Sequence, residues 1–115
     1  MKIERFEDIV AWQKSRELTI DIYRLFYRNK DFGFKDQIQR AAVSVMNNIA
    51  EGFERKTNKE LTSFLYIAKG SCGEVRSMLY VALRLKYITE KDFRKNYDLC
   101  VEISKMLSGF ISSIK

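Results

Sequence analysis

The chain predicts an all-α fold: one domain, residues 1–115, built as an antiparallel up-down-up-down four-helix bundle. Three observations predict it. Apolar residues recur at three- and four-residue spacing through four long stretches, the period of a helix with a buried face. The sequence contains no Pro, so nothing within a stretch removes a helical hydrogen bond. The breaks between stretches are a few residues long, and short connections force consecutive helices to lie antiparallel. At 115 residues the chain is long enough to close a single core without a staple.

The first helix is expected from about Asp8 to Arg28. It is apolar on more than one side, with Leu18, Ile22 and Leu25 set against Ile9, Trp12, Tyr23 and Phe26. After the break at Asn29 to Gly33, the second helix is expected from about Phe34 to Arg55. Its apolar line is Ile38, Ala41, Ala42, Val45, Ile49 and Phe53. Beside it runs a polar line, Gln37, Arg40, Ser44, Asn48 and Glu51. Amides and a hydroxyl suit hydrogen bonding more than solubility, so this line predicts a structural polar seam. Arg40 and Glu51 are about 16 Å apart along the axis, so each should find its partner on another helix or subunit.

The third helix begins after Thr57, where Thr57-Asn58-Lys59-Glu60 has the form of a capping box. It should run to about Lys86. The fourth begins after Thr89, with a weaker version of the same signal ending in Asp92, and runs to the end of the chain.

At 100° per residue the third helix sorts into three stripes. Leu61, Leu65, Ala68, Cys72, Val75, Leu79 and Ala82 form the core stripe. Phe64, Ile67, Ser71, Met78 and Leu85 form a second one, about a third of a turn away. One bundle core needs one stripe per helix, so Phe64, Ile67, Met78 and Leu85 are expected at a homo-oligomer interface, the alternative being a wide core stripe. The third stripe is Tyr66, Lys69, Gly73, Arg76, Tyr80, Arg84 and Tyr87, continuing into Lys86, Lys91, Arg94 and Lys95. It alternates cations with rings and has no acid among its α-helical members. Cations contact phosphates and rings stack on bases, so Lys69, Arg76, Tyr80 and Arg84 are the candidate nucleic-acid contacts. A solvated or subunit-covered face is the alternative. Gly70 and Gly73, inside this helix, point first to a close helix–helix approach and second to a gap for a ligand or nucleic-acid backbone.

Composition narrows the chemistry. The formal net charge is +6, with 11 basic and 9 acidic side chains in residues 1–57 and 10 and 6 in residues 58–115. That balance is compatible with a nucleic-acid partner. There is no His, which removes the usual general base and the commonest metal ligand. No catalytic residue, metal site, cofactor or small-molecule substrate is expected, and the protein reads as a non-enzyme. Cys72 and Cys100 lack metal-type spacing and sit within apolar periodicities, so they are expected as reduced core residues. With no apolar run near the ~20 residues that span a bilayer, and an N-terminus too charged for a signal peptide, a cytoplasmic protein with no membrane partner is expected.

The stretch QIQRAAVSVMNNIAEG, Gln37 to Gly52, resembles the signature of the four-helix-bundle proteins encoded within intervening sequences of bacterial large-subunit ribosomal RNA genes. The accessory variability determinant proteins of diversity-generating retroelements are their relatives. Other pieces match in order: Trp12-Gln13-Lys14 with Arg16, Leu18 and Tyr23; Phe32-Gly33-Phe34 with Gln37; and Ala68, Gly70-Ser71, Glu74 and Leu79. The match covers roughly Phe6 to Ile114. It departs at Met46, where family members often carry Pro, so a bend there is not expected. The resemblance implies a ring-like homopentamer and, from the retroelement proteins, a scaffold that recruits a reverse transcriptase and its RNA. The competing expectation is a purely structural or protein–protein interaction module.

Overall fold

A computed structural model describes residues 3–114. A short 3-10 turn, Phe6–Asp8, precedes four helices: α1 (Val10–Leu25), α2 (Phe32–Phe53), α3 (Asn58–Arg84) and α4 (Glu90–Ile114). The long axis is 42 Å and the other two are 22 and 19 Å. A 27-residue helix is about 40 Å long, so the molecule is one helix long and two helices across. Each helix packs on the next, α2 and α3 most extensively, and α1 closes on α4 more loosely; the diagonal pairs bring no Cα atoms within 8 Å of each other. Cross-helix partners run in opposite order along the chain, as in an antiparallel square. Lys14 pairs with Glu102 and Asp21 with Lys95, while Gln37 meets Glu74 and Ser44 meets Ser71.

Helix ends follow side-chain capping. Asp31 caps α2, its Oδ1 accepting from the Phe34 N–H at 3.2 Å, which starts the helix two residues before the expected Phe34. Thr57 accepts from the Glu60 N–H at 3.1 Å and its hydroxyl reaches the Glu60 carboxylate, the anticipated start of α3. Thr89 accepts from the Asp92 N–H at 3.1 Å. The first helix starts two residues late because Ile9 is extended and buried beneath the 3-10 turn. It ends at Leu25, short of the expected Arg28, because Phe26 turns into the core. At the end of α3, Lys86 takes φ 62°. The Tyr87 N–H then reaches the Ala82 carbonyl at 2.8 Å and the Lys86 N–H the Leu83 carbonyl at 3.0 Å, the paired bonds of a Schellman motif.

The core takes the expected stripe of α3 almost whole: Leu65, Ala68, Cys72, Val75, Leu79 and Ala82 are buried and Leu61 half-buried. Ile38, Ala41, Ala42, Val45 and Ile49 come from α2, and Leu18 and Ile22 from α1. Removing the apolar faces of all four helices from water drives the assembly, at roughly 25 cal/mol per Å². Asn96 on α4 is buried too, donating to the Asp21 carboxylate at 2.8 Å and the Asp92 carbonyl at 3.0 Å, which ties α4 to α1. No described helix is long and apolar enough to cross a membrane.

The expected close approach lies elsewhere than Gly70 and Gly73. A Cβ at either would meet nothing within 4 Å, whereas one at Gly52 would stand 2.7 Å from Phe64 Cβ. Gly52 is therefore the residue that lets α2 and α3 close at that end. Gly70 is exposed and Gly73 half-buried, each with open space where a side chain would begin.

Candidate nucleic-acid interface

The third stripe of α3 lies beside α4, and the two helices together build the face. Lys69 is half-buried; Arg76, Tyr80 and Arg84 are exposed. Among the described residues none of the three cations joins an ion pair with a carboxylate. Tyr80 packs against two rings from α4, with centroid distances of 5.3 Å to Phe93 and 5.6 Å to Tyr97. Phe93 and Tyr97 stack at 5.5 Å, 26° from parallel. Arg76 lies 6.0 Å from the Tyr97 ring centre, and Arg94 lies 5.9 Å from Phe93 and 5.8 Å from Tyr97. These are cation–π distances. The Tyr97 phenol beside Tyr80 raises the Tyr80 pKa, chiefly through their hydrogen bond.

Next to this aromatic shelf is a pit of about 140 Å³, lined by Lys69, Cys72, Gly73, Arg76, Cys100 and Ser104. Its floor holds both cysteines of the chain, which are free and buried. The Cys72 thiol donates to the Cys100 carbonyl at 3.1 Å. The Cys100 thiol, donating to Cys72, draws the Cys72 pKa down against burial, with the Arg76 charge and the Ser104 N–H helping. The same contact, and then burial, pushes Cys100 well up. Both side chains are buried, in keeping with small core residues.

Sequence reasoning reached the α3 half of the face and missed Phe93, Tyr97 and Ser104, of which Phe93 is buried behind the face. The signal for the first two was present: rings four residues apart on one side of α4, with Arg94 between them in sequence. Tyr87 leaves the stripe, because its hydroxyl donates to Asp31 at 2.7 Å and its ring meets Phe34 edge-on at 5.5 Å. Of the expected basic extension, Lys86 and Lys91 are exposed. Arg94 and Lys95 are partly compensated by Asp98 at 3.8 Å and Asp21 at 3.5 Å.

The polar line of α2 divides. Ser44 shares a 2.8 Å hydrogen bond with Ser71 of α3, and the Asn48 amide donates to the Ser44 carbonyl and hydroxyl at 2.8 and 2.9 Å. Gln37 donates to Glu74 at 3.1 Å. Arg40 and Glu51 do not reach another helix of the chain. Arg40 bonds Asp36 at 2.8 Å and Glu51 bonds Arg55 at 3.0 Å, both one turn away on α2. Their side chains are 80% and 55% exposed, and a long side chain at a helix surface finds an i±4 partner without crossing a gap.

The second stripe of α3 divides similarly. Phe64 and Met78 are half-buried: Met78 packs against the chain's own core, and Phe64 Cβ stands beside Gly52 of α2. Phe64 also lies under Arg55, 4.8 Å from its ring centre. Ile67 and Leu85 remain 51% exposed, and Val81, not anticipated from the stripe, is 47% exposed.

Fold and face together define a helical-bundle protein with a cation-and-ring surface between its last two helices, and with no cluster of three or more metal-ligating side chains among the described residues. The family of 23S rRNA-intervening sequence proteins matches residues 7–109, and the chain belongs to it. Among solved structures it is similar to a protein of unknown function from the S23 ribosomal protein family of Bacteroides thetaiotaomicron VPI-5482. The identity is 27% and the TM-score 0.82, over 88% of this chain and 97% of that one. No curated protein matches the chain.

Proposed function

We propose that this protein is a non-enzymatic, cytoplasmic, oligomeric scaffold that binds nucleic acid, RNA foremost, across the α3–α4 face. The observation that carries the proposal is a face on which Arg76 lies 6.0 Å from the Tyr97 ring that packs on Tyr80, while Lys69 and Arg84 share its stripe of α3, none of the three cations in an ion pair with a carboxylate among the described residues. The name of the family, which refers to intervening sequences of 23S rRNA, supports RNA as the partner. Self-association multiplies the effect. One subunit offers few phosphate contacts, and an oligomer presents the face repeatedly to one strand, raising effective concentration. The exposed aliphatics Ile67, Val81 and Leu85 support such an assembly, and a ring-like homopentamer is the form the family resemblance implies. A reverse transcriptase carrying RNA is the protein partner that resemblance would add.

The test is fluorescence anisotropy with single-stranded and structured RNA, titrated across salt. Binding is expected to be sequence-tolerant and to weaken steeply with salt, because counterions are released from the strand. Replacing Arg76 and Arg84 with Gln should flatten the log–log salt slope by roughly 0.7 per lost phosphate contact. Tyr80→Ala should lower affinity at nearly unchanged slope, since stacking contributes about 1–3 kcal/mol per base. No binding at low salt, or equal binding by the Arg76/Arg84 variant, would overturn the proposal in favour of a protein–protein interaction module.

A further inference from the structure

Gly73 lies inside α3 where neither backbone nor packing asks for glycine. No glycine of the chain has a positive φ, and a Cβ at Gly73 would meet nothing within 4 Å. A glycine inside a helix costs about 0.5–1 kcal/mol against alanine. What the missing side chain does is open the pit. Lys69 stands four residues before Gly73 and Arg76 three after, so both cations share its side of the helix. Ser104 enters from α4 across the gap. No carboxylate lines the pit, and its polar rim consists of an ammonium, a guanidinium and a hydroxyl. Gly70 and Gly109 also face open space, but neither is flanked by two cations in this way.

Size selects the ligand. At about 140 Å³ the pit is well below the roughly 300 Å³ at which sites for whole small molecules begin. It has room for four or five waters at about 30 Å³ each. It therefore accepts a charged group of a larger ligand. Donors of this kind, with a guanidinium among them, suit phosphate oxygens. The Tyr97 ring is covered by Arg76 and Phe93, but the Tyr80 ring beside it is exposed and can receive whatever adjoins the phosphate.

We infer that the Gly73 pit is a phosphate subsite, in which Lys69, Arg76 and Ser104 hold one phosphate group of a strand while Tyr80 stacks the neighbouring base. The assignment rests on the nucleic-acid reading of the α3–α4 face and gives that face its anchor point.

Two variants of the full chain test it. Gly73→Leu places a helix-favouring side chain into the open pit and is expected to melt no lower than the parent. Lys69→Gln with Arg76→Gln leaves the pit open and removes its charge. The probes are inorganic phosphate and uridine 5′-monophosphate, with uridine as control, followed by amide chemical shifts; RNA affinity is measured in parallel. In the parent, both phosphates should shift amides around Gly73 and Ser104, and uridine should not. Both variants should lose those shifts and bind RNA about tenfold more weakly or worse. Phosphate shifts retained in Gly73→Leu, or located elsewhere on the surface, would overturn the subsite. RNA bound by Gly73→Leu with parental affinity and salt slope would also sink the subsite, while leaving the broader reading of the face intact. Parental shifts at Gly73 with phosphate but no RNA binding at low salt would support the pit as a phosphate site and remove the nucleic-acid reading.

Discussion

Gly52→Ala is the sharpest test of how α2 and α3 pack. The new Cβ would lie 2.7 Å from Phe64 Cβ and 3.2 Å from Leu61 Cδ1. Carbon atoms rest at about 3.5–4.0 Å, so roughly 0.8 Å or more of space has to open. Phe64 Cβ is fixed to the α3 backbone and cannot rotate away. The helices must part at the most extensive contact of the bundle, or their register must shift. Against this, alanine gains about 0.5–1 kcal/mol in helix propensity. Overpacking of a core typically costs 1–3 kcal/mol, so the net effect is a loss of about 1–2 kcal/mol. For a domain of this size that lowers the melting temperature by roughly 4–10 °C. Gly70→Ala and Gly73→Ala, whose new Cβ atoms meet nothing within 4 Å, should move the other way by about 0.5–1 kcal/mol. Circular dichroism melts and urea titrations at one fixed protein concentration read all three, since association is coupled to stability. A Gly52→Ala protein melting at or above the parent would refute the packing argument.

Other outcomes follow from the same geometry. Ser44→Val removes the hydrogen bonds to Ser71 and Asn48 and should cost about 1–3 kcal/mol in urea titrations, because partners are left unsatisfied. Arg40→Met and Glu51→Gln, each breaking an exposed pair on its own helix, should each cost under about 0.5 kcal/mol by the same measurement. Lys86→Gly relieves the left-handed backbone at φ 62° and should stabilise the protein by about 1 kcal/mol, seen as a higher urea midpoint at unchanged slope. Ile67→Glu, at a position 51% exposed within the subunit, should leave helicity intact while light scattering shows a smaller assembly; an unchanged mass would separate Ile67 from any subunit contact.

The elements and their order were legible in the residues alone. Helix number, both threonine caps and the buried stripe of α3 depend on residues within a turn or two of one another, and the 3.6-residue period reports them directly. Antiparallel packing followed from turns too short to permit anything else. What periodicity reports is an angle about one helix's own axis. It does not say which residues of the neighbouring helix stand opposite, because that depends on how each helix is rotated and slid against the next. Only the tertiary structure therefore placed Tyr97 and Ser104 beside the α3 stripe and set Cys72 against Cys100, 28 residues away. For the same reason it moved the close approach from Gly73 to Gly52, where an opposing Phe64 Cβ leaves no room for a side chain. It also kept Arg40 and Glu51 on their own helix, since a flexible charged side chain at a solvent-facing angle pairs with the nearest turn.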